Sequence, residues 1–181
     1  MPTPPKTSRV EIIAAAGNLL SRHGVDALTM QAVADSVGVR APSLYKHFAD
    51  RSALLREVEQ AAVAELEKVI QTAAKPKDDR GALKSIANAF RRFAREHPSQ
   101  YNLIFTLQAG DADSQSARRR ALHPVLQRLE SCLGNPELAF LRARVLTAFL
   151  HGFVSMETAG AFKLGGNIDH AFAAGLDLIL A

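Results

Sequence analysis

Apolar residues recur at three- and four-residue intervals along most of the chain. This is the period of one face of an α-helix. Ile12, Ile13, Ala16, Leu19 and Leu20 form the first such face, with Ser8 and Glu11 placed as a capping box before it and Gly24 as its stop. Thr29 is placed to cap a second helix faced by Val33, Ala34 and Val37 and ended by Gly38. Pro42 suits the first position of a very short third helix through Phe48. Asp50 then caps a long helix from about Arg51 to Ala74, with Leu54, Leu55, Val58, Ala62, Leu66 and Ile70 on one side. After the polar, proline-interrupted stretch Lys75–Gly81, a fifth helix carries Leu83, Ile86, Ala87, Phe90 and Phe93. A sixth starts at Pro98, Gly110–Asp113 reads as a turn, and a seventh covers residues 116–133. Asn135-Pro136 opens an eighth running to about Phe162, and Leu164-Gly165-Gly166 is read as its break. Asn167 caps the last, which carries Ile168, Phe172, Leu176, Ile179 and Leu180. No segment alternates with period two. The expectation is an all-α fold of about nine helices, divided into a tail (1–8), a first domain (9–52) and a helical remainder (53–181).

Composition narrows the class. The chain has 181 residues, 48% apolar and 22% charged, which excludes a disordered, collagenous or disulfide-rich protein. Its one cysteine, Cys132, allows neither an internal disulfide nor a cysteine metal cluster. The start has no apolar signal-like core, and no run of about 18 apolar residues is found. A cytoplasmic protein without a membrane partner is expected. The sequence lacks His-Glu-x-x-His, Gly-x-Ser-x-Gly, a phosphate-binding loop and a dinucleotide fingerprint, so no enzyme, metal or cofactor is expected. The formal net charge is +4, but residues 1–50 hold five basic against four acidic side chains, whereas residues 75–100 hold seven against three. Bulk charge therefore gives only a weak pointer to nucleic acid.

Placement gives a stronger one. Two short helices joined through Gly38 and braced by a helix on each side are the pattern of a helix-turn-helix. The second short helix packs Ser43, Tyr45, Lys46 and His47 into seven residues, with only Leu44 and Phe48, four apart, to anchor it. A helix so short is not stable by propensity. Packing must hold it, and its polar face is presented outward.

These residues resemble the DNA-binding domain of the tetracycline-repressor (TetR) family of bacterial transcription regulators. The likeness runs through Ile12-x3-Ala16-x2-Leu19-Leu20-x3-Gly24, Thr29-Met30-x2-Val33-Ala34-x2-Val37-Gly38-Val39 and Leu44-Tyr45-Lys46-His47-Phe48-x2-Arg51-x2-Leu54-Leu55. Further on, Glu96-His97-Pro98-x2-Tyr101-x3-Phe105 and Leu150-His151-Gly152 resemble a subgroup with a Trp-His-Gly signature, Leu150 standing at the Trp position.

The resemblance implies double-stranded operator DNA as partner, a homodimer, and a small apolar or amphipathic effector. It places Thr29 and Arg51 at phosphates, Arg40 at a guanine edge or a phosphate, and Ala41, Pro42 and Ser43 at base edges. Tyr45, Lys46 and His47 fall where the family touches the DNA backbone, and His47 has packing in the domain core as its other reading. Lys6 and Arg9 are placed to add contacts from the tail. Seven of the nine Phe residues lie between positions 90 and 162. Phe90, Phe93, Tyr101, Phe105, Phe149, His151, Phe153 and Met156 are the expected pocket lining, with plain core as the competing reading. Leu146, Phe153, Gly160, Phe172, Leu176 and Leu180 are expected at a dimer interface. The implied function is a repressor released by its effector; a helix-turn-helix factor without an effector, or an activator, remains the alternative.

Overall fold

The computed structural model describes residues 7–75, 78–106 and 112–181. The expected tail up to Lys6, Pro76 and Lys77 of the polar stretch, and Gly110 and Asp111 of the expected turn Gly110–Asp113 lie outside these. Among the described residues there are nine helices and no strand. They are α1 (Arg9–His23), α2 (Met30–Ser36), α3 (Ala41–Leu44), α4 (Arg51–Ala73), α5 (Asp79–Glu96), α6 (Pro98–Thr106), α7 (Ala112–Leu133), α8 (Pro136–Thr158) and α9 (Ile168–Ile179).

The helix starts follow side-chain chemistry. Ser8 and Glu11 close the capping box of α1: the Glu11 amide donates to Ser8 Oγ at 3.2 Å, and the Ser8 amide to Glu11 Oε2 at 2.7 Å. Thr29 Oγ1 accepts from the Ala32 amide at 3.1 Å to cap α2, and Asp50 Oδ1 accepts from the Ala53 amide at 2.7 Å to cap α4. Asn135 and Asn167 do the same for α8 and α9. Three boundaries differ from expectation. The seventh helix starts at Ala112, so Ala112 and Asp113 of the expected turn are helical. The third helix is one turn, Ala41–Leu44, and residues 45–47 continue it as a turn closed by the His47 and Phe48 amides on the Leu44 carbonyl, both at 2.9 Å. The eighth stops at Thr158 instead of near Phe162: Gly160 (φ +60°) turns the chain first, before Gly165 and Gly166, which also take positive φ.

The chain divides into two compact units, residues 1–63 with 97–114, and residues 64–96 with 115–181. The first unit has its own core of Ile12, Ala16, Leu20, Leu28, Met30, Val33, Ala34, Leu44, Phe48, Leu54, Leu55 and Val58. Leu103 of α6 completes it, α6 packing on α1.

In the second unit α8 packs against α5 and α9. Ala139, Ala143, Leu146, Leu150 and Val154 face inward. Leu138, Leu141, Val145, Ala148, Gly152 and Met156, on the opposite side by helical period, stay exposed. A helix apolar on both sides is long and apolar enough to cross a bilayer by length and composition, its richest 18-residue window having a mean hydropathy of 1.3. The core helix of a globular protein meets the same criterion, so the expectation of no membrane partner is not overturned. Here the inward side is occupied by the protein's own core, and Arg142 donates to the Ile179 carbonyl at the end of α9.

Candidate nucleic-acid interface

Leu44 and Phe48, 0% and 2% exposed, are the pegs that fix the recognition turn to the first core. Fully burying two such side chains contributes roughly 3–6 kcal/mol, which offsets the poor helix propensity of a four-residue helix. With the pegs inward, Arg40, Pro42, Tyr45 and Lys46 are exposed. Ala41, Ser43 and His47 are half-buried at the edge of this surface. Ala41 packs against the core, which turns part of its methyl away from any base. Thr29 is exposed at the start of α2, its hydroxyl already accepting the cap bond. The cap leaves the hydroxyl proton for an outside acceptor, so capping and phosphate contact are compatible. Gly38, at φ +72°, makes the turn between the two short helices.

Two arginines have tasks that sequence spacing alone did not disclose. Arg51 is the first residue of α4, where the helix dipole disfavours a cation. Its guanidinium is directed instead at the loop before α2: Nε donates to the Leu28 carbonyl and Nη2 to the Val25 carbonyl, each at 2.6 Å. Two of its donors thereby brace the loop before α2, a task the expectation of a phosphate contact at Arg51 did not include. Arg9 reaches from α1 to the recognition turn. Its Nη1 donates to the His47 carbonyl at 2.8 Å, its Nη2 pairs with Glu57 at 2.8 Å, and its guanidinium carbon lies 4.6 Å from the Phe48 ring centroid. Neither partner can be read from a local motif, since both arginines act across more than twenty residues of sequence.

The residues expected to line an effector pocket are shared between the two units. Tyr101 and Phe105 belong to the first unit, their rings 4.9 Å apart, Tyr101 buried and Phe105 39% exposed. In the second unit Phe90 and Phe93 are buried on α5. Half-buried Phe149 and Phe153 join Phe162 and buried Phe172 in one aromatic cluster, with centroid separations of 4.9–5.7 Å. His151 is half-buried, and Met156, also expected in the lining, is exposed on the far side of α8 from the inward residues. Arg91 enters the cluster, 4.7 Å from the Phe172 centroid and 5.5 Å from that of Phe153. It is buried and held bidentately by Glu157 at 2.6 and 2.7 Å, with Asp169 at 2.8 Å on Nη1. The Glu157 hydrogen bonds, more than the burial that opposes them, push the Arg91 pKa up, so this cation persists at any physiological pH. Two grooves in this unit lie elsewhere. One of about 530 Å³ is lined by Glu65, Lys68, Thr72, Ser85, Asn88 and Arg92 among others, and one of about 420 Å³ by Asp79, Pro124, Arg128 and neighbours.

The residues expected at a dimer interface differ in exposure. Leu146, Phe172 and Leu176 are 1–2% exposed within a single chain, and Gly160 is in the turn after α8. Phe153 is engaged in the aromatic cluster, and Leu180 is half-buried at the α9 terminus. Apolar surface is exposed on the opposite side of α8, and Leu178 on α9 is 79% exposed.

An exposed polar recognition turn, pinned through buried Leu44 and Phe48 and joined to a separate helical unit, defines a helix-turn-helix regulator. Comparison with known proteins places it further. Residues 12–58 match the family model described as bacterial regulatory proteins, tetR family, and residues 83–179 match the one described as tetracyclin repressor-like, C-terminal domain. An HTH-type transcriptional regulator of Mycobacterium tuberculosis, itself uncharacterized, is 34% identical over 161 residues, 87% of this chain and 73% of that protein. A protein of unknown function from Rhodococcus sp. RHA1 shares the fold over 99% of this chain and 97% of its own, with a TM-score of 0.84 at 22% identity. A TetR variant from Acinetobacter baumannii, solved in complex with minocycline, matches over 96% of this chain and 94% of its own, with a TM-score of 0.69 at 25% identity. The chain belongs to the TetR family of bacterial transcriptional regulators. It is a DNA-binding regulator, of a family that is not enzymatic and that binds operators as homodimers.

Proposed function

We propose that this protein is a cytoplasmic homodimeric repressor, released from a palindromic operator by a small amphipathic effector. The observation that carries it is the one-sided recognition turn: Leu44 and Phe48 buried, Arg40, Tyr45 and Lys46 exposed. Thr29, Tyr45 and Lys46 would take phosphates, with the carbonyl-bound Arg51 supporting them. Arg40, Pro42 and Ser43 would meet base edges, and Ala41 and His47 would sit at the margin of the contact. One such turn reads few bases, so a two-fold pair is needed for a site of useful specificity. The exposed side of α8 supplies an apolar surface for that pairing. Effector binding in the second unit would favour a dimer in which the two recognition turns no longer match the half-sites. Operator DNA must then weaken effector binding by the same factor.

Selection of bound duplexes from random DNA tests the core of this reading. Two inverted half-sites are expected, and enrichment of a single unrepeated site would refute the two-fold mode. A specific observation keeps a second reading open: the Phe149, Phe153, Phe162 and Phe172 rings already pack on one another around Arg91. A core so filled fits a regulator that takes no small molecule. A ligand that binds free protein more tightly than operator-bound protein decides for the first reading.

A further inference from the structure

We propose that Arg9 is a positioning residue for the recognition turn and not a phosphate contact, with Glu57 holding it in place. This rests on the DNA-binding function already assigned and adds to it the residue that sets the height and tilt of the reading surface.

The recognition turn has little of its own to hold it. Only Ala41–Leu44 is helical, and the next residues are a turn closed on the Leu44 carbonyl. Leu44 and Phe48, with half-buried Ala41 against the same core, fix its inner side by packing alone. Arg9 adds a directional constraint from three sides. Nη1 donates to the His47 carbonyl, the guanidinium carbon lies over the Phe48 ring at 4.6 Å from its centroid, and Nη2 is anchored to Glu57 on α4. Since His47 and Phe48 immediately follow Tyr45 and Lys46, fixing the former fixes the latter.

Coulomb attraction is not what makes the arrangement matter. Arg9 and Glu57 side chains are 49% and 31% exposed, and a pair so wetted contributes little to stability. What the guanidinium offers is a rigid planar fork that satisfies two acceptors while stacking on a ring, which an ammonium cannot do. The capping box at Ser8 and Glu11 fixes the first turn of α1, so Arg9 starts from a defined place.

The sign of one substitution separates the alternatives. If Arg9 were a phosphate contact partly neutralised by Glu57, Glu57→Gln would release the cation and tighten DNA binding. If Arg9 positions the turn, Glu57→Gln removes the anchor and weakens binding. The full-length protein is assayed against the duplex it enriches from a random pool and against a scrambled duplex of equal length. Glu57→Gln, Arg9→Ala and Arg9→Lys are each expected to lower affinity for the enriched duplex by on the order of tenfold. Affinity for the scrambled duplex and the slope of log affinity against log salt should stay unchanged. Tightening by Glu57→Gln would overturn the proposal. So would a slope shallower by about one with equal losses on both duplexes, the signature of a lost phosphate contact. Full rescue by Arg9→Lys would overturn it as well, and because Arg9→Lys keeps the charge, it guards against a folding defect in the alanine variant. Failure of the unmodified protein to enrich any duplex would count against the DNA-binding reading itself and is scored before the variants are made.

Discussion

Gly175→Ala offers a test in which two known effects oppose one another. Replacing a mid-helix glycine by alanine ordinarily stabilises, by up to about 1 kcal/mol. In α9, however, a Cβ built on Gly175 falls 2.5 Å from Phe149 Cζ and 2.6 Å from Cε2. Ordinary carbon contacts lie at about 3.5–4.0 Å, so the ring must retreat by roughly 1 Å. It has little freedom to do so, being packed against Phe172 at 5.7 Å and Phe153 at 5.6 Å between centroids. Overpacking of this kind costs about 1–3 kcal/mol. The net expectation is a loss of roughly 1 kcal/mol, or about 2–4 °C in Tm for a chain of this size. Thermal unfolding at one fixed protein concentration measures it, because subunit association makes Tm concentration-dependent. Phe149→Leu should remove the clash, so the double variant should be more stable than the sum of the single changes predicts. Gly17→Ala in α1, where a Cβ meets nothing within 4 Å, serves as the control and should stabilise. A Gly175→Ala protein as stable as the parent, or additivity with Phe149→Leu, would refute the packing argument.

Four further outcomes are expected. Leu44→Ala, at a side chain with no exposure, should lose about 3 kcal/mol and specific DNA binding together, measured by urea unfolding and by titration of the enriched duplex. Lys46→Ala should weaken binding to all duplexes alike and flatten the salt slope by about one, and an unchanged slope would remove Lys46 from the phosphate contacts. Val145→Glu, at an exposed position of α8, should shift sedimentation toward the monomer without lowering protomer stability, whereas an undisturbed assembly would exclude that side of the helix as the interface. The Asp79 carboxyl is held below its ordinary pKa, first by the Ser131 hydroxyl and then by Arg128. Its stabilising contribution is therefore present above the unfolded-state value and is lost as acid protonates it; Asp79→Asn should flatten the fall in stability below about pH 4.

The local grammar of this fold was legible in the sequence, and long-range choices were not. Ser8, Thr29, Asp50, Asn135 and Asn167 announce helix starts because a cap needs only a side-chain oxygen and an amide three residues on. The extent of the recognition helix was overread: Leu44 and Phe48 are as compatible with a hydrogen-bonded turn as with two turns of helix. Gly160 and Gly165 both take positive φ, and which of them ends α8 depends on backbone that pattern does not encode. The faces of α8 could not be ranked either. Leu146 and Val145 are equally apolar neighbours, but one is sealed inside and the other is half exposed, and only packing against α5 and α9 decides between them. The basic excess around residues 75–100 misdirects in the same way, since Arg91 there is spent on Glu157 and Asp169 inside the protein.

Leu103 has a practical consequence for anyone who would cut this regulator into parts. It lies on α6, 45 residues beyond the last contiguous member of the first core, Val58, yet it is 4% exposed within that core. A fragment ending after α4 would carry the whole recognition surface and still lack one stone of its vault. Such a fragment should bind DNA poorly for a reason unrelated to dimerisation. Chimeras that exchange the reading head between relatives should fare better when α6 travels with it, so the portable unit of specificity is discontinuous in sequence.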